Sequence, residues 1–98
     1  MKYLGPNHNT ETLEVRVTGR VQGVGFRAAT VRQAHSLGVT GWVRNAPDGS
    51  VEVLVQGEPE QVDHMLSWLH KGPPAAKVTG VTYTQSDTQR YFDNFQQI

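Results

Sequence analysis

Residues 13–27, with the sequence LEVRVTGRVQGVGFR, change their hydrophobic period in mid-stretch. The first six residues alternate apolar and polar side chains, which is typical of a strand with one buried face. From Phe26 to Leu37 the spacing is instead that of a helix, and Gly38 supplies the stop signal. Three glycines lie between the two patterns. The stretch therefore predicts a strand, a loop and a helix in direct succession.

The rest of the chain continues this succession. The turn Pro47-Asp48-Gly49 contains Asp-Gly, a strong hairpin signal. A break of the alternation at Gly80 predicts a β-bulge. After the first strand and helix we expect strands at 39–45 and 51–56, a helix from Pro59 with the apolar stripe Val62, Met65, Leu66 and Leu69, a strand at 77–84 and a short final strand within 91–98.

This order predicts an α+β fold, the ferredoxin-like split βαβ sandwich. The pattern is βαββαβ plus a short final strand, with two helices on one face of an antiparallel sheet. Residues 1–12 show no periodicity, so we expect a flexible N-terminal tail and a domain at 13–98. The fold serves many unrelated functions, and function must come from a site.

Composition excludes several classes of protein. The 98 residues suit one domain, and the absence of cysteine excludes disulfides and thiolate chemistry. Nine basic and nine acidic residues give zero net charge, which argues against a nucleic-acid binder and a polybasic membrane anchor. No apolar run approaches the ~20 residues of a membrane span, and the secretory signature is absent. We expect a cytoplasmic monomer that binds neither nucleic acid nor membrane.

The glycine-rich loop is the first candidate site. A loop that enters a helix presents unpaired N–H groups at the positive end of the helix dipole, which favours an anion. Arg27 lies in the first helical turn, where a cation opposes the dipole by ~0.3–1 kcal/mol, and a bound anion would explain it. Alternatively, the glycines only make a tight crossover. The loop lacks two signatures of nucleotide-binding loops, namely the Gly-Lys-Ser/Thr ending and the three-glycine dinucleotide spacing followed by a helix.

Residues 19–27 closely resemble the amino-terminal signature of the acylphosphatase family. The second family signature is matched by residues 41–45, GWVRN, and residues 48–52, DGSVE. The resemblance runs from about Leu13 to Ile98. It implies a small free-standing enzyme that hydrolyses the carboxyl-phosphate bond of acyl phosphates to carboxylate and inorganic phosphate. It also implies no metal, no cofactor and no phosphoenzyme.

The resemblance also implies roles for particular residues. Arg27 and the loop amides bind the phosphoryl group, and Asn45 orients the attacking water. The loop residues assigned to phosphate are Gly19, Arg20, Val21, Gln22, Gly23, Val24 and Gly25. Without the resemblance, Asn45 is more simply an ordinary turn residue before Pro47. The sequence departs from the family at Ala46, where some members have Thr, and at Ala28 and Ala29, where many have an aromatic residue.

Other interpretations were weighed against this one. The four histidines lack metal-ligand spacing, so we expect them to face solvent. A non-catalytic module that binds phosphate or carbamoyl phosphate is the alternative, related to the amino-terminal domain of hydrogenase-maturation carbamoyl transferases. Such domains continue into Cys-rich sequence, which this chain lacks. We also expect the terminal carboxylate at Ile98 to lie near Arg27 and to fix its rotamer.

Overall fold

The alternating stretch forms strand β1 (Glu11–Arg20) in the computed structural model, which describes residues 10–98. Its alternation is confirmed, because Leu13, Val15 and Val17 are buried and the residues between them are not. The strand extends two residues beyond the expected range at each end. Of the expected tail, residues 1–9 lie outside the described residues, whereas 11 and 12 belong to β1.

The predicted order of elements is confirmed. After β1 come α1 (Phe26–Leu37), β2 (Thr40–Asn45), β3 (Val51–Gly57), α2 (Pro59–Leu69), β4 (Lys77–Gln85) and β5 (Phe95–Gln97). Gly38 ends α1 in the left-handed conformation, as its sequence position predicted. Within residues 10–98 neither helix is long and apolar enough to cross a membrane.

The five strands form one sheet in the order β4-β1-β3-β2-β5. Strands β1 to β4 pair in antiparallel fashion, as predicted, but β5 runs parallel to β2, and the sheet is therefore mixed. Residues 86–94 carry the chain from β4 at one edge to β2 near the other, and β5 then enters alongside β2 in the same direction. The hydrophobic periodicity of a sequence predicts a strand, but it does not predict whether that strand runs parallel or antiparallel to its neighbour.

The bulge predicted at Gly80 lies next to that residue. The register between β1 and β4 shifts after Thr18, so Thr79 has no direct partner on β1. Gly19 follows at φ 122°, and a β-carbon there would collide with the main chain of Lys77. Gly19 is thus required by the close approach of two strands, and Gly19 and Arg20 belong to β1 rather than to the loop.

The core lies between the sheet and the two helices. Phe26 of α1 and Trp68 of α2 contact each other with ring centroids 5.9 Å apart, and Trp68 packs against the edge of the core. The largest fully buried side chains come from both layers and are Phe26, Met65, Leu69, Val17, Val21, Val43, Val51, Val53, Val55, Val62 and Thr30.

Sheet topology brings the predicted site residues to one edge. Strands β1 and β2 both pair antiparallel with β3, so they run in the same direction and end at the same edge of the sheet. Val17 and Asn45 pair with the same β3 residue, Val51, which places them about 10 Å apart at the usual strand spacing. The loop that follows β1 therefore lies beside Asn45.

Candidate active site

A cavity of about 130 Å³ lies at this edge, where the loop, the first turn of α1 and the ends of β2 and β5 meet. Its lining residues are Val21, Gly23, Gly25, Phe26, Arg27, Ala28, Asn45 and Gln97. Pockets for drug-sized ligands typically measure ~300–1,000 Å³. The cavity therefore suits a small anion and a water rather than a nucleotide.

The loop beside this cavity carries backbone donors without a partner in the described chain. Gly23 and Gly25 adopt φ of 74° and 78°, a region that only glycine enters easily. Val21 is buried and Val24 packs against the core, so these two side chains hold the loop against the core. The N–H groups of residues 22–25 donate no hydrogen bond to another described residue. These groups are available to an anion.

The amino-terminal end of α1 adds to the positive potential. Gly25 is its N-cap and supplies no capping side chain, and the first turn contains no acidic residue. The unpaired N–H groups of a first turn are then free for a ligand, and the helix dipole favours negative charge there. Both features favour an anion at this end of the helix.

Arg27 is a half-buried cation at the wall of the cavity. It forms no ion pair with a carboxylate side chain among residues 10–98. Its Nη1 donates to the main-chain oxygen of Ile98 at 3.4 Å, which is long for such a bond. The contact lies where the sequence predicted a partner for Arg27. Most of the guanidinium donors remain available for a ligand.

Asn45 ends β2 with an exposed side chain that also lines the cavity. A turn-forming Asn uses its side chain to bind nearby backbone. In this turn Asp48 does so instead, since its Oδ1 accepts hydrogen bonds from Ser50 N at 2.9 Å and Ser50 Oγ at 2.6 Å. The Asn45 carboxamide has no partner among the described residues. The turn does not need it, and a ligand can use it.

Gln22 has a role that the sequence did not predict. Its side chain leaves the loop and reaches the β2–β3 turn, where Nε2 donates to Ala46 O at 2.8 Å and Ser50 O at 2.9 Å. These two bonds join the loop to the turn that follows Asn45. They fix the position of the loop relative to the end of β2, and residues of both segments line the cavity.

Replacing Gln22 with Ala should reduce the stability of the fold by ~1–3 kcal/mol, because two partly buried carbonyl groups lose a donor. Chemical denaturation measures this loss. Gln89→Ala is the matched control, since Gln89 is exposed and its side chain makes no hydrogen bond in the described chain. Equal midpoints for the two variants would contradict the assigned role of Gln22.

The predicted site residues divide into three groups. Arg27, Asn45, Val21, Gly23 and Gly25 line one cavity. Gly19 and Arg20 pair with β4, and the Gln22 and Val24 side chains point away from the cavity, so only loop backbone remains for phosphate contacts. Gln97 also lines the cavity, although it is not among the predicted site residues. Its place there depends on how β5 pairs in the sheet, and no local sequence pattern indicates that pairing.

A larger concavity of about 260 Å³ lies on the face of the sheet that the helices leave open. Its charged side chains already pair with each other: Arg16 and Arg44 both contact Glu52, at 3.0 and 2.8 Å. A charge that is already neutralised attracts a free anion weakly. The smaller cavity is therefore the better candidate for anion chemistry, because its Arg27 pairs with no carboxylate side chain within the described part of the chain.

The described residues contain no candidate metal site. Over residues 10–98 no three side chains of His, Cys, Asp or Glu come close enough together to hold an ion. Metal independence remains a prediction, and it is tested below by chelation.

Known proteins are similar to this chain in both sequence and fold. The family model for acylphosphatase matches residues 13–97. The acylphosphatase of Paraburkholderia xenovorans (strain LB400) is 60% identical over 87 residues, which are 89% of this chain and 90% of that protein. The structure of an acylphosphatase from Coxiella burnetii matches with a TM-score of 0.90 at 33% identity, over 98% of this chain and 100% of that chain.

One larger protein also contains a similar domain. The crystal structure of HypF from T. kodakarensis matches with a TM-score of 0.80 at 29% identity, over 90% of this chain but 12% of that chain. The acylphosphatases named above are matched over 90% or more of their length, and the family match spans nearly every residue of the described fold. The chain belongs to the acylphosphatase family.

Proposed function

We propose that the 130 Å³ cavity is the place where this chain hydrolyses acyl phosphates. As a member of the acylphosphatase family, the chain is a hydrolase that splits the carboxyl-phosphate bond into carboxylate and inorganic phosphate. The observation that supports the cavity is that two side chains line it together: Arg27, which pairs with no carboxylate side chain among residues 10–98, and Asn45, whose carboxamide has no partner among them.

In this proposal the loop and Arg27 hold the phosphoryl group. The free N–H groups of residues 22–25 point a row of donors at the anion, and the dipole of α1 adds to their field. The planar guanidinium can bind two phosphoryl oxygens at once. Phosphoryl transfer needs positioning and neutralisation of charge on the equatorial oxygens, and these groups supply both.

Asn45 acts on the water in this proposal. Its carboxamide oxygen accepts a hydrogen bond from the water, which turns a lone pair toward phosphorus. The new P–O bond forms as the bond to the acyl oxygen breaks, and the electron pair leaves with the carboxylate. Carboxylic acids have pKa values near ~4, so no general acid is needed. The proton of the water passes to a phosphoryl oxygen, and no basic side chain is needed.

Hydrolysis of acetyl phosphate should survive exhaustive chelation, because every group in this mechanism is a protein side chain or amide. Inorganic phosphate and sulfate should inhibit competitively, since each fills the place of the phosphoryl group. Initial rates with and without a chelator test the first expectation, and double-reciprocal plots test the second. Activity that returns only with an added divalent ion would refute the metal-free mechanism.

A second candidate is a non-catalytic module that binds phosphate or carbamoyl phosphate, and the observation that favours it is that a similar domain forms 12% of the much longer HypF chain. Both candidates predict phosphate binding, but only an enzyme releases phosphate with turnover. Phosphate release from acetyl phosphate distinguishes them, with a phosphate monoester as the control that should react poorly. The monomeric state and the cytoplasmic location stay predictions.

A further inference from the structure

A chain of polar contacts crosses the open face of the sheet and ends at the β2–β3 turn. The side chain of Arg16 projects on this face, because its neighbours Val15 and Val17 are buried beneath the helices. Arg16 lies opposite Glu52, and Glu52 lies opposite Arg44, so the three form a row across β1, β3 and β2. Arg16 Nη2 and Arg44 Nε each donate to one oxygen of Glu52.

Arg16 alone of this row continues into the turn. Its Nη1 donates to Asp48 Oδ2 and to Ser50 Oγ, both at 2.7 Å. Hydrogen bonds from the hydroxyl and then the N–H of Ser50 hold the pKa of Asp48 below its usual range, with a smaller contribution from Arg16. Asp48 is thus an anion at neutral pH. Arg16 therefore joins β1 to both polar side chains that close the turn.

Ser50 is where the contacts from the two faces meet. It is buried, its hydroxyl is held by Arg16 and Asp48, and its carbonyl accepts from Gln22 Nε2 and from Ala46 N. Ala46 directly follows Asn45 in the chain. The turn is consequently clamped between Arg16 on the open face and Gln22 on the loop side, with Asn45 at its start.

We propose that Arg16 is a positioning residue for Asn45, and that it acts by fixing the 46–50 turn from the open face of the sheet. The inference rests on the proposed function, in which Asn45 aligns the attacking water. Arg16 touches neither the cavity nor the phosphate loop, so its effect must pass through the turn.

Magnitudes separate this role from a purely structural one. The side chains of Arg16 and Asp48 are 43% and 60% exposed, and exposed ion pairs contribute little to stability. A catalytic group that is displaced by about 1 Å, in contrast, can cost up to ~10²-fold in rate. Loss of Arg16 should therefore affect turnover much more than folding.

The test compares Arg16→Gln with Arg44→Gln. Both variants lose one cation and one bond to Glu52, but only the first loses contact with the turn. For Arg16→Gln we expect kcat on acetyl phosphate to fall about 10-fold, while the inhibition constant of inorganic phosphate changes less than about twofold. The thermal midpoint should fall by no more than about 8 °C. Arg44→Gln should keep kcat within about twofold.

A second measurement reads the position of Asn45 without any turnover. The side-chain NH₂ signals of Asn45 in the ¹⁵N NMR spectrum should shift or broaden in Arg16→Gln and stay in place in Arg44→Gln. Asp48→Asn keeps one oxygen for the two Ser50 bonds and replaces the oxygen that Arg16 contacts. It should therefore repeat the Arg16→Gln result, which covers a failure of one variant to fold.

The proposal is overturned if Arg16→Gln and Arg44→Gln behave alike in kcat and in the Asn45 signals. It is also overturned if kcat and phosphate affinity fall together, since the effect would then lie in the loop. If the unmodified chain released no phosphate from acetyl phosphate, the proposed function would fail, and the Asn45 signals alone would decide the role of Arg16.

Discussion

Arg27→Gln should lower kcat on an acyl phosphate by ~10³-fold and should weaken inhibition by inorganic phosphate by ~10–100-fold. The rate loss corresponds to the upper range for removal of one donor from a transition state, ~2.7–4 kcal/mol. The loss of affinity corresponds to one charged hydrogen-bond partner. Both fall because Arg27 contacts the phosphoryl group in the ground state and in the transition state. Steady-state kinetics with phosphate as inhibitor measures both quantities.

Two further variants sharpen this result. Arg27→Lys keeps the charge but loses the planar fork, so it should recover little activity. Arg32→Gln removes a cation from an exposed position on the same helix, away from the cavity, and should leave the kinetics nearly unchanged. If Arg27→Gln bound phosphate as tightly as the unmodified chain, Arg27 would not hold the phosphoryl group.

Asn45→Ala should lower kcat by at least ~10²-fold, the lower range for a positioned catalytic group. Phosphate should still inhibit with nearly the original constant, because Asn45 contacts the water and not the phosphoryl group. This separation identifies an interaction that strengthens only in the transition state. Initial-rate kinetics with inorganic phosphate as the inhibitor measures both effects.

Folding must be checked first, by thermal denaturation, since Asn45 precedes a tight turn. Asn94→Ala is the matched control, because Asn94 is exposed and does not line the cavity. Normal turnover in Asn45→Ala would refute the water-positioning role. A loss of phosphate affinity as large as in Arg27→Gln would show that the two residues share one role, and the mechanism would need to be rebuilt.

The sequence predicted the order of elements because each boundary carries its own signal. The change of period at Phe26 predicted α1, Asp48-Gly49 the hairpin and Pro59 the start of α2. The main candidates, Arg27 and Asn45, came from two family signatures, and sheet topology brings them to one cavity. A local signature can name these residues because each of them lies within one of its two short stretches of sequence.

Contacts between distant parts of the chain could not be predicted from the sequence, because they depend on the register in which the strands pair. Gln56 occupies a polar position in β3. It is in fact buried, donates to Thr12 Oγ1 and Arg90 O and accepts from Phe92 N, and so holds the segment that leads to β5. The hydrogen bonds of Gln22 and Arg16 to the β2–β3 turn likewise join residues that are more than 20 positions apart in the sequence.

The most direct test of the account is hydrolysis of acetyl phosphate in water enriched in ¹⁸O. Water that attacks phosphorus leaves the label in inorganic phosphate, whereas water that attacks the carbonyl carbon leaves it in acetate. We expect enzyme-dependent release with the label in phosphate, in the presence of a chelator, and loss of this release in Arg27→Gln. Label in acetate, or release that Arg27→Gln leaves unchanged, would contradict hydrolysis at phosphorus in this cavity.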